Sequence, residues 1–205
     1  MKEFFKKLFA PAQNEELPIK EKLPMKEELK ELIISNINSW TDKDIYAISL
    51  FTYDYNDNPC KPTVALSYNT EAQVEKQTPK AYNEQEARWN YAFWLQNEFF
   101  QYGTKDTAQS VRDWLELNEL PFFEDDDKAW DDESNYLKAS RITTRFVSEL
   151  IEIVKEIHES GLLTQKFGKE IPIIIHELEY YHEITRQNIK ANGKELLGDF
   201  IKFCR

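Results

Sequence analysis

The chain has 205 residues, enough for one domain with a sizeable core, and 41% hydrophobic with 31% charged residues excludes a disordered polymer. Asp and Glu number 37 against 26 Lys and Arg, a net charge of −11. That balance excludes a non-specific nucleic-acid binder with a basic face and leaves cationic partners open.

Residues 1–24 read as an amphipathic arm and linker. Phe4, Phe5, Leu8 and Phe9 fall on one helical face, with Lys2, Lys6 and Lys7 mostly off it. Such a face touches an anionic membrane or a partner groove, or else the arm folds back on its own domain or frays. It has no true apolar h-region and no small-residue cleavage site, which argues against secretion. Pro11, Pro18 and Pro24 then interrupt a Glu/Lys-rich stretch.

Residues 25–205 read as a single α+β domain. Met25, Leu29, Leu32, Ile33, Ile37 and Trp40 recur at helical spacing behind Pro24. The near-continuous apolar run 45–52 suits a strand covered on both faces, Asp54 to Pro59 is turn chemistry, and 63–68 returns as a second strand. Residues 69–71 can cap a helix over 71–77. The stretch 84–102 stays open between two readings. In one, a single helix is capped by Asn83; in the other, 86–89 is a strand and Asn90 caps a helix to about Tyr102. Helices follow over 107–117 and 135–159, then a strand-like stretch 171–180 and a last helix broken near Gly193. The expected architecture is a small, mainly antiparallel sheet, a hairpin plus the late strand, packed by several helices. The strands at 45–52, 63–68 and 171–178 are expected to share that sheet, because a lone hairpin is only marginally stable.

Several of these segments resemble the bacterial family called domain of unknown function 4303: Ile45 to Ser49, Asn69 to Glu71, Arg88 to Trp94, and Ile173 to Leu178. The resemblance runs from about Lys26 to the C-terminus. It implies no activity and no catalytic residues, since the family carries none that are established. Small acidic bacterial proteins of this sort are associated with immunity to toxins, and the resemblance implies that class by association alone.

Candidate chemistry is sparse. His176 and His182 stand six positions apart, whereas the zinc-protease pattern needs two histidines four apart on one helical turn, so no metal site is expected. The carboxylates around them read as solvated. Asp54, Asn56 and Asn58 alternate like the start of a calcium loop, but Pro59 and Ala65 stand where glycine and glutamate are needed. No nucleophile elbow or phosphate-cradling glycine loop is present. Cys60 and Cys204 form no CxxC pair and fit a reduced, cytoplasmic setting. No apolar run approaches a membrane span. The aromatic set Trp89, Tyr91, Phe93, Trp94, Phe99, Phe100 and Tyr102 reads as core, with an exposed interface patch as the alternative.

The acidic run Glu124, Asp125, Asp126, Asp127, Trp130, Asp131 and Asp132 reads either as a solvated loop or as a docking surface with Trp130 as anchor. The expected function is therefore non-enzymatic: an immunity-type or adaptor protein that blocks a basic partner through acidic, aromatic-rich surface, without a cofactor. The alternatives are a hydrolase or transferase with an unrecognised site, and a membrane-peripheral protein anchored by Phe4 to Phe9.

Overall fold

Pro24 fixes the backbone at the entrance of helix α1, Met25–Ser39, which buries Met25, Leu29, Ile33 and Ile37 as one stripe. The computed structural model describes residues 24–123 and 133–204. Phe4, Phe5, Leu8 and Phe9, and the acidic run from Glu124 to Asp132, lie outside the described residues.

Strands β1, Ile45–Asp54, and β2, Pro62–Thr70, pair antiparallel from Ile45 with Thr70 to Asp54 with Pro62. The connection uses turn chemistry: Asn56 and Asp57 both take left-handed backbone, which short polar side chains tolerate. Asn58 then accepts the Cys60 N–H at 2.8 Å, so this residue serves the turn and not a cation. Thr70 ends β2 and caps α2, Glu71–Gln77, its hydroxyl accepting the Gln73 N–H at 3.1 Å.

The ambiguous stretch resolves differently from both sequence readings. Asn83 caps α3, Glu84–Trp89, but the helix stops after six residues. Asn90 caps only a single 3-10 turn over 91–93, and the chain then extends into strand β3, Phe100–Tyr102. The reason is packing. The Tyr46 hydroxyl and the Trp94 indole N–H both donate to the Arg88 carbonyl, which a continuing helix would have used itself. Trp89 and Trp94 are thereby buried against Tyr46, and Tyr91 is buried against Trp94.

Helix α4, Ala108–Leu117, and the long α5, Glu133–Glu159, follow close to expectation. A short α6, Leu162–Phe167, leads to strand β4, Ile173–His176, then α7, His182–Asn192, and α8, Gly198–Phe203. The sheet order is β3-β2-β1-β4, so the three expected strands do share one sheet. It is mixed: β4 runs parallel to β1, from Ile48 with Ile173 to Phe51 with His176. The helical return through α5 and α6 is the long crossover that a parallel pair needs. The strand expected over 171–180 shrinks to four residues, because the next ones, Glu177 to Glu179, are charged or exposed and have no partner on β1.

Helices cover both faces. Ile48, Leu50, Val64, Leu66, Ile173 and Ile175 meet α1, α4 and α5 on one side. Ala47 and Ile174 meet residues of α2, α3 and α8, including Val74, Trp89 and Phe200, on the other. The expectation of β1 as a strand buried on both faces therefore holds. Lys26 and Lys30 of α1 grip Glu156 of α5 at 2.5 and 2.7 Å.

The outer edge of β4 is closed by side chains. Asn188 accepts the Ile175 N–H at 2.8 Å and donates to the Ile175 carbonyl at 2.7 Å. Asn192 treats Ile173 in the same way, at 2.7 and 2.9 Å. Four residues of helix rise about 6.0 Å and two of strand about 6.6 Å, so an i, i+4 pair of amides matches an i, i+2 pair of peptides.

Candidate functional site

Because β1 and β4 are parallel, their C-terminal ends open side by side, and the chain leaves both there. A cleft of about 430 Å³ lies at that end. Its walls are Phe51 to Asp54 of β1, Pro62 and Thr63 of β2, Thr143, Phe146 and Val147 of α5, and Glu177 to Glu179 with Tyr181 from the β4–α7 connection. Crevices at the carboxyl ends of parallel strands are where open α/β sheets commonly receive ligands.

Two carboxylates organise this cleft electrostatically. Asp54 is half-buried, and its carboxyl is pushed up to about 6, first by burial, then by the charges of Glu177 and Asp57. Among the described residues no cation pairs with Asp54, and no Lys, Arg or His lines the cleft. Glu177 is held in place by the Tyr181 hydroxyl, which donates to its Oε1 at 2.7 Å. The Tyr181 phenol is itself pushed upward, by burial first and then by that carboxylate. The Phe51 ring stacks on Tyr53 with centroids 5.6 Å apart and on Tyr91 at 5.1 Å, on the sheet face away from Asp54.

His176 lies beneath the cleft, fully buried among Phe51, Tyr91, Trp94 and Tyr180. Its Nδ1 faces the Glu177 carbonyl at 2.8 Å and must donate to it. In the neutral ring Nε2 is then an acceptor, and the Ser49 hydroxyl donates to it at 2.8 Å. Thr52 donates to the His176 carbonyl at 3.1 Å. Burial pulls the imidazole down to about 4, against the opposing effect of its bond to Glu177. Ser49 and His176 have the contact of a nucleophile and its base, but both are sealed from solvent in the sheet, so the pair fastens β1 to β4.

The connection after β4 also separates two recesses. Leu178, 74% exposed, and Glu179 line the cleft on one side and a hollow of about 370 Å³ with Asn90, Phe203 and Cys204 on the other. Burial raises the Cys60 thiol and pushes Cys204 up to about 11, so neither is primed as a nucleophile.

The histidines read together in sequence part company here: His176 ends β4 inside the core, and His182 begins α7 on the surface. Among the described residues no three His, Cys, Asp or Glu side chains group to hold a metal ion, and no helix is long and apolar enough to cross a membrane. Of the aromatic set, Trp89, Tyr91, Trp94 and Tyr102 are core; Phe99 is 40% exposed and packs on Trp40 and Tyr68. Sequence reasoning did not single out Asp54 and Glu177 as a pair. Their signal was faint: each closes an apolar strand, but only the parallel register brings the two ends together.

Comparison with known proteins gives no match to a family model, to a curated protein or to a solved structure.

Proposed function

We propose that this chain is a binding protein that receives a cationic group of a basic protein partner in the cleft between β1, α5 and the β4–α7 connection. The observation that carries the reading is Asp54, a half-buried carboxyl beside a second carboxylate, with no cation at hand among the described residues. Burying such a charge is unfavourable unless it is paired. A ligand cation entering the cleft relieves the repulsion between Asp54 and Glu177, and the exposed ring of Tyr181 offers it a π face.

In this reading the acidic run around Trp130 steers the partner by long-range attraction, while the cleft holds it. An immunity-type or adaptor role in the cytoplasm, and membership of the domain of unknown function 4303 family, belong to the same proposal. They rest on the composition and on the segments quoted above. The test is an NMR titration of the full chain with an acetylated hexapeptide of alternating lysine and arginine. Saturable shifts at residues 51–54, 143–147 and 177–181, lost in a double variant Asp54→Asn plus Glu177→Gln, support the reading. Shifts scattered over the surface, or unchanged in that variant, overturn it.

One observation favours a second reading, an acid–base hydrolase or transferase: a carboxyl that titrates near 6 beside another carboxylate can hold a proton for donation at physiological pH. Turnover in a substrate screen that Asp54→Asn abolishes would select this reading over the first.

A further inference from the structure

We infer, independently of what the cleft binds, that His158 is a proton-operated clasp. Its doubly protonated ring ties the end of α5 to the α6–β4 connection and to the α7 amide that closes the edge of β4, and loss of one ring proton releases that amide.

Both ring nitrogens face acceptors. Nδ1 lies 2.7 Å from Oε2 of Glu170, in the connection between α6 and β4, and Nε2 lies 3.0 Å from Oδ1 of Asn192, at the end of α7. The Asn192 amide cannot turn round to offer a donor instead. Its Oδ1 also accepts the Ile173 N–H at 2.7 Å, and its Nδ2 donates to the carbonyls of Ile173 and Asn188 at 2.9 and 3.1 Å. Reversal would set donor against donor and acceptor against acceptor. Glu170 is fixed as well, since the Thr164 hydroxyl donates to its other oxygen. Burial opposes the Glu170 charge, but the Thr164 hydroxyl and then His158 hold its carboxyl below the usual carboxylate range, so it stays an acceptor. A neutral imidazole has one N–H and satisfies one of these two acceptors; the imidazolium satisfies both.

Among the described residues Glu170 is the charged group in contact with the ring. From α7 the ring meets the uncharged Asn192, and Lys155, one turn back on α5, is paired with Glu152 at 2.8 Å. The His158 side chain is 16% exposed, so its proton can exchange with solvent. When the ring gives one up, the remaining N–H stays with the carboxylate, the stronger acceptor. Nε2 then turns a lone pair toward Oδ1 of Asn192, and the two acceptors repel. Asn188, which holds Ile175 one turn earlier, does not touch the ring. Proton loss therefore loosens the grip on Ile173 and spares the grip on Ile175.

The test follows the full isotope-labelled chain by NMR from pH 5.5 to 9. Long-range proton–nitrogen spectra report the proton on each ring nitrogen of His158, and amide exchange is read as protection relative to the intrinsic rate at each pH. Protection at Ile173 is expected to fall about tenfold as Nε2 loses its proton, while Ile175 stays within about twofold. His158→Gln should remove the pH response at Ile173, and its amide spectrum reports that it remains folded. Loss of the proton from Nδ1 instead of Nε2, protection at Ile173 that ignores the ring, or equal responses at Ile173 and Ile175 each overturns the clasp. So does a pH response at Ile173 that persists in His158→Gln.

Discussion

Asp54 and His176 pull the pH dependence of stability in opposite directions over nearly the same window. For His176 the folded value of about 4 lies below the ordinary 6.5. The unfolded chain takes up a proton that the folded core refuses, so stability is lost as pH falls from 6.5 to 4, by about 3 kcal/mol at most. For Asp54 the folded value of about 6 lies above the ordinary 3.8. Its contribution is present below 3.8 and is lost as pH rises through 6, leaving a charged group the fold tolerates poorly. Asp54→Asn should therefore raise stability by about 1–3 kcal/mol at pH 7.5, with no gain below pH 4. Denaturant melts of both proteins at pH 4, 5.5 and 7.5 check this. The variant must also show the steeper acid loss, since the His176 contribution then has no opposing Asp54 contribution in that window. A stabilising substitution in a cleft is what a residue kept for binding produces, because ligand sites often retain charge that folding alone would discard.

At the level of elements, the α7 amides decide how firmly β4 is held. Asn192→Leu removes both partners of the Ile173 peptide group and leaves a buried N–H and C=O unpaired, at about 2–3 kcal/mol. Hydrogen exchange should then accelerate at the Ile173 and Ile175 amides while the β1–β2 amides stay protected until global unfolding. Uniform acceleration throughout the sheet would contradict this. Gly103 sets a second constraint. It links β3 to α4 at φ +105, and a Cβ there would stand 2.4 Å from the Pro62 carbonyl oxygen. Gly103→Ala should destabilise by more than 2 kcal/mol, from strain and clash together, and thermal melts measure it. Elements like these divide sharply in how far the sequence exposes them. The Thr70 cap, the α1 stripe and the hairpin turn are written in neighbouring residues. Strand β3 is not, because its three residues become a strand only when Trp89, Tyr91 and Trp94 have drawn the preceding chain out of a helix. The β4–α7 amide ladder is likewise silent in sequence, where Asn188 and Asn192 look like ordinary polar helix positions.

Across the whole molecule, charge is sorted by place. Lys26 and Lys30 are committed to Glu156, and Arg88 to Glu71 at 2.6 and 3.0 Å, whereas the cleft keeps its carboxylates without basic residues in its lining. On the proposed function, two sets of variants should separate in kinetics with a basic partner. Neutralising Asp125, Asp126, Asp127, Asp131 and Asp132 to Asn should slow association and flatten its salt dependence, since long-range attraction acts mainly on encounter and is screened over ~8–10 Å. Asp54→Asn with Glu177→Gln should instead speed dissociation. Stopped-flow or surface-based kinetics over a salt series distinguishes them, and identical effects from both sets would refute the division of labour. The cleft itself was illegible in the sequence for a topological reason: residues 54, 146 and 177 meet only because β4 enters parallel to β1, and nothing local announces that direction. The sealed border of β4 carries a last implication. Where another sheet would offer a free template, this one presents the side-chain amides of α7, so among the described residues strand-by-strand growth into aggregates is left the opposite border, at β3 and the part of β2 beyond it. An apolar replacement at Asn188 or Asn192 therefore changes more than firmness: it uncovers an isoleucine-rich strand for recruitment by a second molecule, and turns a loosened chain into a seed for self-association.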